Sequence, residues 1–365
     1  MTAARLVLLT TLLMATPAFA QAPGVNLPPG FTISVFASGL GIPRFLTLDP
    51  SGTLLVSIPS QGRVVALPDA DGRGKAGAIT VVAGLDRPHG LAWKDGDLYV
   101  AETGRVLRFR YDPATRKATN AAVIVSNLPR EGNHWTRTVV FGPDGRLYVS
   151  VGSSCNVCRE QDTRRAAILR YNADGSGEEL FATGMRNAVG LAFSPTTGAL
   201  WAAVNERDWR GDDLPPDYIT EVKAHGFYGW PDCMVAGGRA LVDERFGPSG
   251  RCSAVTPPSV EIQAHSAPLG LVFYTGRQFP PEYHGNLFVA YHGSWNRSVP
   301  TGYKVVRIRF KDGKPAGVED FATGWLHDGR VLGRPVDLIV GRDGALYLSD
   351  DSAGQIDKIS YRSSP

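Results

Sequence analysis

A chain of 365 residues with 38 Lys and Arg against 35 Asp and Glu carries no basic field that would draw it to nucleic acid or an anionic membrane surface. With 43% hydrophobic residues it can bury a sizeable core, and its length allows one large domain or two ordinary ones.

In chain order the first signal concerns the compartment. Met1–Arg5 carries one positive charge, Leu6–Met14 is a short apolar run, and Ala18-Phe19-Ala20 is a small-x-small cleavage site. This is the layout of a secretory signal peptide, and the run is well short of the ~20 residues a spanning helix needs. Residues 1–20 are therefore expected to be removed, leaving a periplasmic or secreted chain, residues 21–365, without a membrane span. In an oxidising compartment an even number of cysteines predicts disulfides. Locality pairs Cys155 with Cys158 and Cys233 with Cys252, although the sequence alone leaves other pairings open. Covalent haem attachment at Cys155-x-x-Cys158 would want a histidine where Arg159 stands, and a zinc site would want the second pair spaced like the first.

Beyond the leader one phrase recurs six times: an apolar stretch, a glycine-bearing turn, then a strand of the type Leu-Tyr-Val-Ala. It spans Phe45–Ser57, Gly90–Ala101, Val139–Ser150, Gly190–Ala203, Gly270–Ala290 and Asp337–Ser349. β-branched and aromatic residues around a Gly turn read as hairpins. Third strands follow at Arg63–Leu67, Val106–Tyr111, Ile168–Tyr171, Ile219–Val222, Lys304–Ile308 and Gln355–Ile359, and fourth strands at Val81–Leu85, Ile124–Leu128, Phe181–Met185 and Phe321–Trp325. Units of this kind predict an all-β fold, a six-bladed β-propeller of four-stranded antiparallel blades in a single domain. One insertion is expected at Asp208–Ser259. The sixth unit lacks a fourth strand, and Phe31–Phe36 has the sequence of one. It is expected to close the ring, because an open edge invites aggregation.

In a propeller the loops entering first strands and those joining second to third strands share one face. Before the six inner strands stand Arg44, His89, His134–Arg137, Arg186-Asn187, His265 and Arg334. The other loops hold Glu102, Ser153–Cys158, Asn205–Asp208, His292–Arg297 and Asp350-Asp351. Such a ring, rich in Arg with several His, predicts a pocket for a planar, multiply anionic ligand beside a proton acceptor. Arg137 reads equally as a buried ion-pair partner, and His265 and His292 as structural.

Several segments resemble the soluble pyrroloquinoline quinone (PQQ) dehydrogenases of the glucose and sorbosone type, in particular the L-sorbosone (aldose sugar) dehydrogenase branch. They are Ala182–Trp201 with R-N-A-V-G-L-A-F, Val204–Asp208, Gly226–Pro231 with Y-G-W-P, and His292–Ser298. The resemblance implies PQQ held with Ca²⁺, and oxidation of a sugar C1 hydroxyl or aldehyde hydrate. It implies His134 as general base, Asp217 as the carboxylate orienting it, and Arg186 as the group stabilising the developing oxyanion. Asn187, Arg297 and Arg334 match cofactor contacts, and the backbone carbonyls of Glu206 and Arg207 match calcium ligands. Arg44 and His89 are added as pocket-lining residues from their loop positions. Two departures from the glucose-type pattern stand out: Val189 replaces a Gln contact, and Glu206-Arg207 replaces Gly-Pro, so the Glu206 carboxylate is an alternative ligand. A small-molecule sugar is the expected substrate, and a separate electron acceptor the expected partner. The alternatives are a metal-dependent propeller lactonase or esterase, served by Asn205 and Glu206, and a non-catalytic binding propeller with an aromatic rim.

Overall fold

The computed structural model describes residues 24–246 and 250–362; the leader expected at residues 1–20 lies outside them. Among the described residues the chain forms six blades of four antiparallel strands and no α-helix. The first blade runs Leu46–Leu48, Leu54–Ile58, Arg63–Leu67 and Ile79–Ala83, from the axis outward. No helix there is long and apolar enough to cross a membrane.

Both faces of each blade are covered, so the second strands are apolar almost throughout; Leu54–Ile58 and Leu147–Val151 are buried at every position. The core is divided accordingly. Six clusters fill the six seams between neighbouring blades, and each enclosed Leu, Val or Phe contributes ~1.5–3 kcal/mol. A seventh cluster, Phe45, Val189, Leu269 and Val336, plugs the axis. Val189 is thus a core residue. Inner strands approach so closely at the axis that a Cβ on Gly190 would sit 2.1 Å from the Leu269 carbonyl oxygen, which explains the glycine opening the Gly-Leu-Ala-Phe phrase.

Ring closure follows the expected route. Phe31–Ala37 pairs antiparallel with Gln355–Tyr361, with Phe31 opposite Tyr361 and Ile33 opposite Ile359. Phe31 also meets Phe279, Tyr283 and Phe321 edge to face at 4.7–5.1 Å. The insertion contains the third strand expected at Ile219–Val222, observed at Asp217–Glu221, and is followed by a fourth strand, Val260–Ile262, that the sequence pattern had not revealed. Between these, Gly226–Phe227 adds a parallel fifth strand to the third blade, and Cys233–Ala236 pairs with Arg239–Val242. Cys155–Cys158 and Cys233–Cys252 are both disulfides.

Beneath the sixth blade's surface Asp357 is fully buried; its Oδ1 accepts from Gln355 Nε2 at 2.9 Å and its Oδ2 has no partner. Burial, aided by the Asp350 charge and opposed by Gln355, pushes its carboxyl up to about 7. Raised above the unfolded value of about 3.9, such a group stabilises fully below that value and loses its contribution as pH rises through 7. The thermal midpoint is therefore expected to fall between pH 5 and pH 8. Asp357→Asn should remove about 5 °C of that fall, measured by calorimetry at both pH values; an unchanged fall in the variant would refute the assignment.

Candidate active site

At one end of the axial plug the blade loops surround a cavity of about 440 Å³, a size suited to a small molecule. Leu269 belongs to both plug and cavity wall, so the apolar axis is the floor. Of the residues expected at the site, Arg44, His134, Arg186, Asn187, Glu206, Asp217 and Arg334 line the cavity. His89, Arg207 and Arg297 do not.

His134 precedes the inner strand Arg137–Phe141. Its Nδ1 lies 2.8 Å from the Ser153 carbonyl oxygen and 3.0 Å from Ser153 Oγ, whose own proton goes to the Cys155 carbonyl at 2.7 Å. This network assigns the proton to Nδ1 and leaves the lone pair on Nε2. Burial first, then the Arg186 charge, push the imidazolium down to about 3, so the ring is neutral at ordinary pH. Gly152 makes the arrangement possible: a Cβ there would stand 2.5 Å from Asn187 Oδ1 and 2.6 Å from His134 Cβ.

The resemblance assigned the orienting role to Asp217, and the structure corrects this. Asp217 accepts the Glu206 and Ala267 backbone N–H groups, each at 2.8 Å, at the start of the fourth blade's third strand. Each of its oxygens holds one of those loops, and the partner of His134 Nδ1 is Ser153 instead. Burial pushes Asp217 up to about 6 and Glu206 up to about 8. Glu206 is thus an enclosed carboxyl whose burial outweighs the charges of Arg186 and Arg207 beside it. Nearby on the wall, Asn187 Oδ1 is buried without a donor. Among the described residues, no three His, Cys or carboxylate groups of the cavity stand close enough to form a ready metal cage.

Arg186 is held on all sides. Its Nε donates to the Asn156 carbonyl at 3.0 Å, its Nη1 to the Glu206 carbonyl at 2.6 Å, and its Nη2 to Asn156 Oδ1 at 3.1 Å and Asp208 Oδ2 at 2.8 Å. The Glu206 carbonyl expected to ligate calcium is therefore already an acceptor. Asn156, inside the Cys155–Cys158 loop, also receives the Asp208 N–H at 2.8 Å and Trp230 Nε1 at 3.1 Å.

Across the cavity a relay joins the first, fifth and sixth blades. Arg44 Nη1 donates to Asp351 Oδ2 at 2.6 Å, His292 Nε2 donates to Asp351 Oδ1 at 2.9 Å, and Arg334 Nη1 approaches His292 Nδ1 at 3.3 Å. Burial alone would raise Asp351, but His292 and Arg44 outweigh it and hold the carboxylate below its ordinary range. Among the described residues the Arg334 guanidinium otherwise meets the Tyr303 hydroxyl at 3.2 Å and the Tyr303 ring at 5.1 Å, and Arg44 Nε is buried without a partner. These two guanidiniums keep donors available, whereas Arg186 does not.

Three further expectations are corrected. His89 is fully buried, its ring packed 4.1 Å from that of Phe45 and its Nδ1 3.3 Å from the Arg137 carbonyl, so it stands behind the wall. Arg297 is drawn outward by the Asp212 carbonyl and the Asp213 carboxylate, the latter at 3.1 Å. Arg207, whose backbone carbonyl was the expected ligand, is absent from the cavity lining, and its guanidinium pairs with Asp243 of the insertion. Arg137, read as a possible ion-pair partner, instead donates to the carbonyls of Pro129, His134 and Thr136. Ser153, Asn156, Asp208 and Asp351 were within the loops flagged from sequence, yet nothing in their residue type distinguished them from their neighbours.

A family model described as TrAA12-like matches residues 25–361. An uncharacterized protein of Borreliella burgdorferi is 30% identical, covering 92% of this chain and 91% of its own length. A pyrroloquinoline quinone-dependent pyranose dehydrogenase of Coprinopsis cinerea is 28% identical over 93% of this chain, which spans 55% of that relative's length. The solved PQQ domain of a Coprinopsis cinerea pyranose dehydrogenase, in its holo form, superposes with a TM-score of 0.80 at 25% identity, covering 94% of this chain and 99% of that one. With nearly every described residue matched by the family model, the chain belongs to the TrAA12-like family of PQQ-dependent sugar dehydrogenases.

Proposed function

We propose that this protein, exported to the periplasm or beyond the cell, oxidises the C1 hydroxyl or aldehyde hydrate of an aldose or sorbosone-type sugar, with PQQ and Ca²⁺ as cofactors. The observation that carries the reading is one cavity holding both a neutral His134 with a free Nε2 and a facing pair of guanidiniums, Arg44 and Arg334, with spare donors. That donor set fits a planar ligand bearing carboxylates, because guanidinium pairs carboxylate in bidentate fashion. The Glu206 carboxyl and the orphaned Asn187 Oδ1 are hard oxygen donors, the kind Ca²⁺ takes, and a cation there would relieve the burial that raises Glu206.

Bound in the cavity, PQQ would supply the two-electron acceptor. His134 Nε2 takes the proton of the substrate hydroxyl as the C1–H electron pair departs, a step in which a positioned base is worth ~10²–10⁴-fold. Ser153 keeps the ring in the tautomer that can do this. Asn156 and Asp208 hold Arg186 beside the reacting region, and Asp351 keeps Arg44 and His292 aligned. The electrons then pass to a separate acceptor.

The test is a titration of metal-depleted protein with PQQ and Ca²⁺, following the thermal midpoint and dye reduction over a panel of sugars. Stoichiometric binding should raise the midpoint by mass action, ~2.7 kcal/mol at a hundredfold excess over Kd, and switch on turnover. A midpoint and a dye assay both indifferent to saturating PQQ would sink the reading.

A further inference from the structure

Two of the most exposed large side chains sit together at the mouth of the cavity. Trp209 is 68% exposed and Trp295 is 62% exposed, and their rings meet edge to face at 5.1 Å and 85°. Trp295 lines the cavity, so the pair continues its wall outward. Solvent-facing indoles in contact at a pocket mouth mark a binding surface more often than isolated exposed apolar residues do.

The loops carrying them are built to hold this position. Trp209 lies between the strands Leu200–Val204 and Asp217–Glu221, and Trp295 between Leu287–Tyr291 and Lys304–Lys311. Asn296 Nδ2 donates to Asp208 Oδ1 at 3.0 Å, the Ser298 N–H donates to Asp212 Oδ1 at 3.0 Å, and Arg297 pairs with Asp213 at 3.1 Å. Each contact joins a neighbour of one tryptophan to a neighbour of the other. The polar residues are spent on fixing the frame, and the indoles are left outside it. In the right-angled corner of an edge-to-face pair one indole covers a single face of the other, the remaining faces meet solvent at these exposures, and the electron-rich face of an indole attracts the C–H edges of a ligand.

We infer that Trp209 and Trp295 form a platform for the second sugar ring of a substrate whose reducing end occupies the cavity, so that the preferred substrate is an oligosaccharide. This rests on the sugar-oxidising reading above. A pyranose has the required shape: a C–H-bearing face for the indoles, with its hydroxyls around the rim left to solvent. With C1 directed to His134, the remainder of the chain has to leave through the mouth, where the corner stands.

The experiment has two arms, each using wild type, Trp209→Ala and Trp209→Phe. In the first, intrinsic fluorescence of protein without added PQQ is titrated with cellotetraose, maltotetraose and glucose. In the second, kcat/KM of the PQQ- and Ca²⁺-loaded enzyme is measured for the same sugars. A tetraose is expected to shift the fluorescence where glucose does not, and to be preferred in kcat/KM by about tenfold, the size of a stacked aromatic contact. Trp209→Ala should lose both effects while its glucose kcat/KM stays at the wild-type value, and Trp209→Phe should recover most of the preference. Fluorescence indifferent to both tetraoses, or a Trp209→Ala loss equal for glucose and tetraose, overturns the platform. A loaded enzyme that oxidises no sugar, with the tetraose fluorescence shift intact, overturns the dehydrogenase reading and leaves a saccharide-binding corner.

Discussion

Replacing His134 by alanine is expected to lower kcat by ~10²-fold or more at saturating cofactor, the loss of a positioned general base, while PQQ affinity stays near that of wild type. The reason is geometric. His134 commits Nδ1 to Ser153 and offers only Nε2 to the cavity, whereas the cations proposed to meet the cofactor, Arg44 and Arg334, belong to the Asp351–His292 relay of other blades. Because burial and Arg186 hold the imidazolium down to about 3, the wild-type rate should show no limb near pH 6.5 from this residue. Steady-state kinetics from pH 5 to 9 and a PQQ titration check both statements. Wild-type turnover in His134→Ala would move the base elsewhere; buried His89 is a poor successor.

A second large effect separates two arginines that the sequence treats alike. Arg334→Ala should weaken PQQ binding by about 1.5–3 kcal/mol, the scale of a charged hydrogen bond, roughly 10- to 100-fold in Kd, with much of kcat recovered by excess cofactor. Arg297→Ala should leave that Kd near wild type, because its guanidinium is held by the Asp212 carbonyl and Asp213. Calorimetric titration of the two variants decides the matter. Equal losses of affinity would restore Arg297 to the cofactor site.

The ring was legible because each blade repeats one apolar phrase, and six copies of an apolar hairpin around a glycine turn have few other solutions. Even the composite sixth blade could be read, since Phe31–Phe36 resembles the other outer strands. Val260–Ile262 could not: three residues carry too little pattern, and the insertion separates them from the strand they pair with. At the site, the sequence identified which loops converge but not where their side chains point. Arg186, Arg297 and Arg334 are chemically identical, and only the partners met after folding distinguish a saturated guanidinium, one captured at the rim and one with donors to spare. The part expected of Asp217 falls to Ser153 for a similar reason. A carboxylate is the more conspicuous residue, but a backbone carbonyl at 2.8 Å suffices to fix a tautomer.

The pairing of Phe31–Ala37 with Gln355–Tyr361 also bears on the order of events in the protein's making. The first-synthesised strand of the ring can find its partner only after the last has been synthesised, so five blades can form as the chain emerges while the sixth must wait. Joining ends over 300 residues apart, as the Thr32–Ser360 contact does across 328 positions, carries a loop-closure penalty that local hairpins escape, and such non-local topologies fold slowly. During that interval the aromatic side of Phe31 and the edge of Gln355–Tyr361 are both uncovered. This is the stage at which a chain of this design is most exposed to proteases and to pairing with another copy of itself.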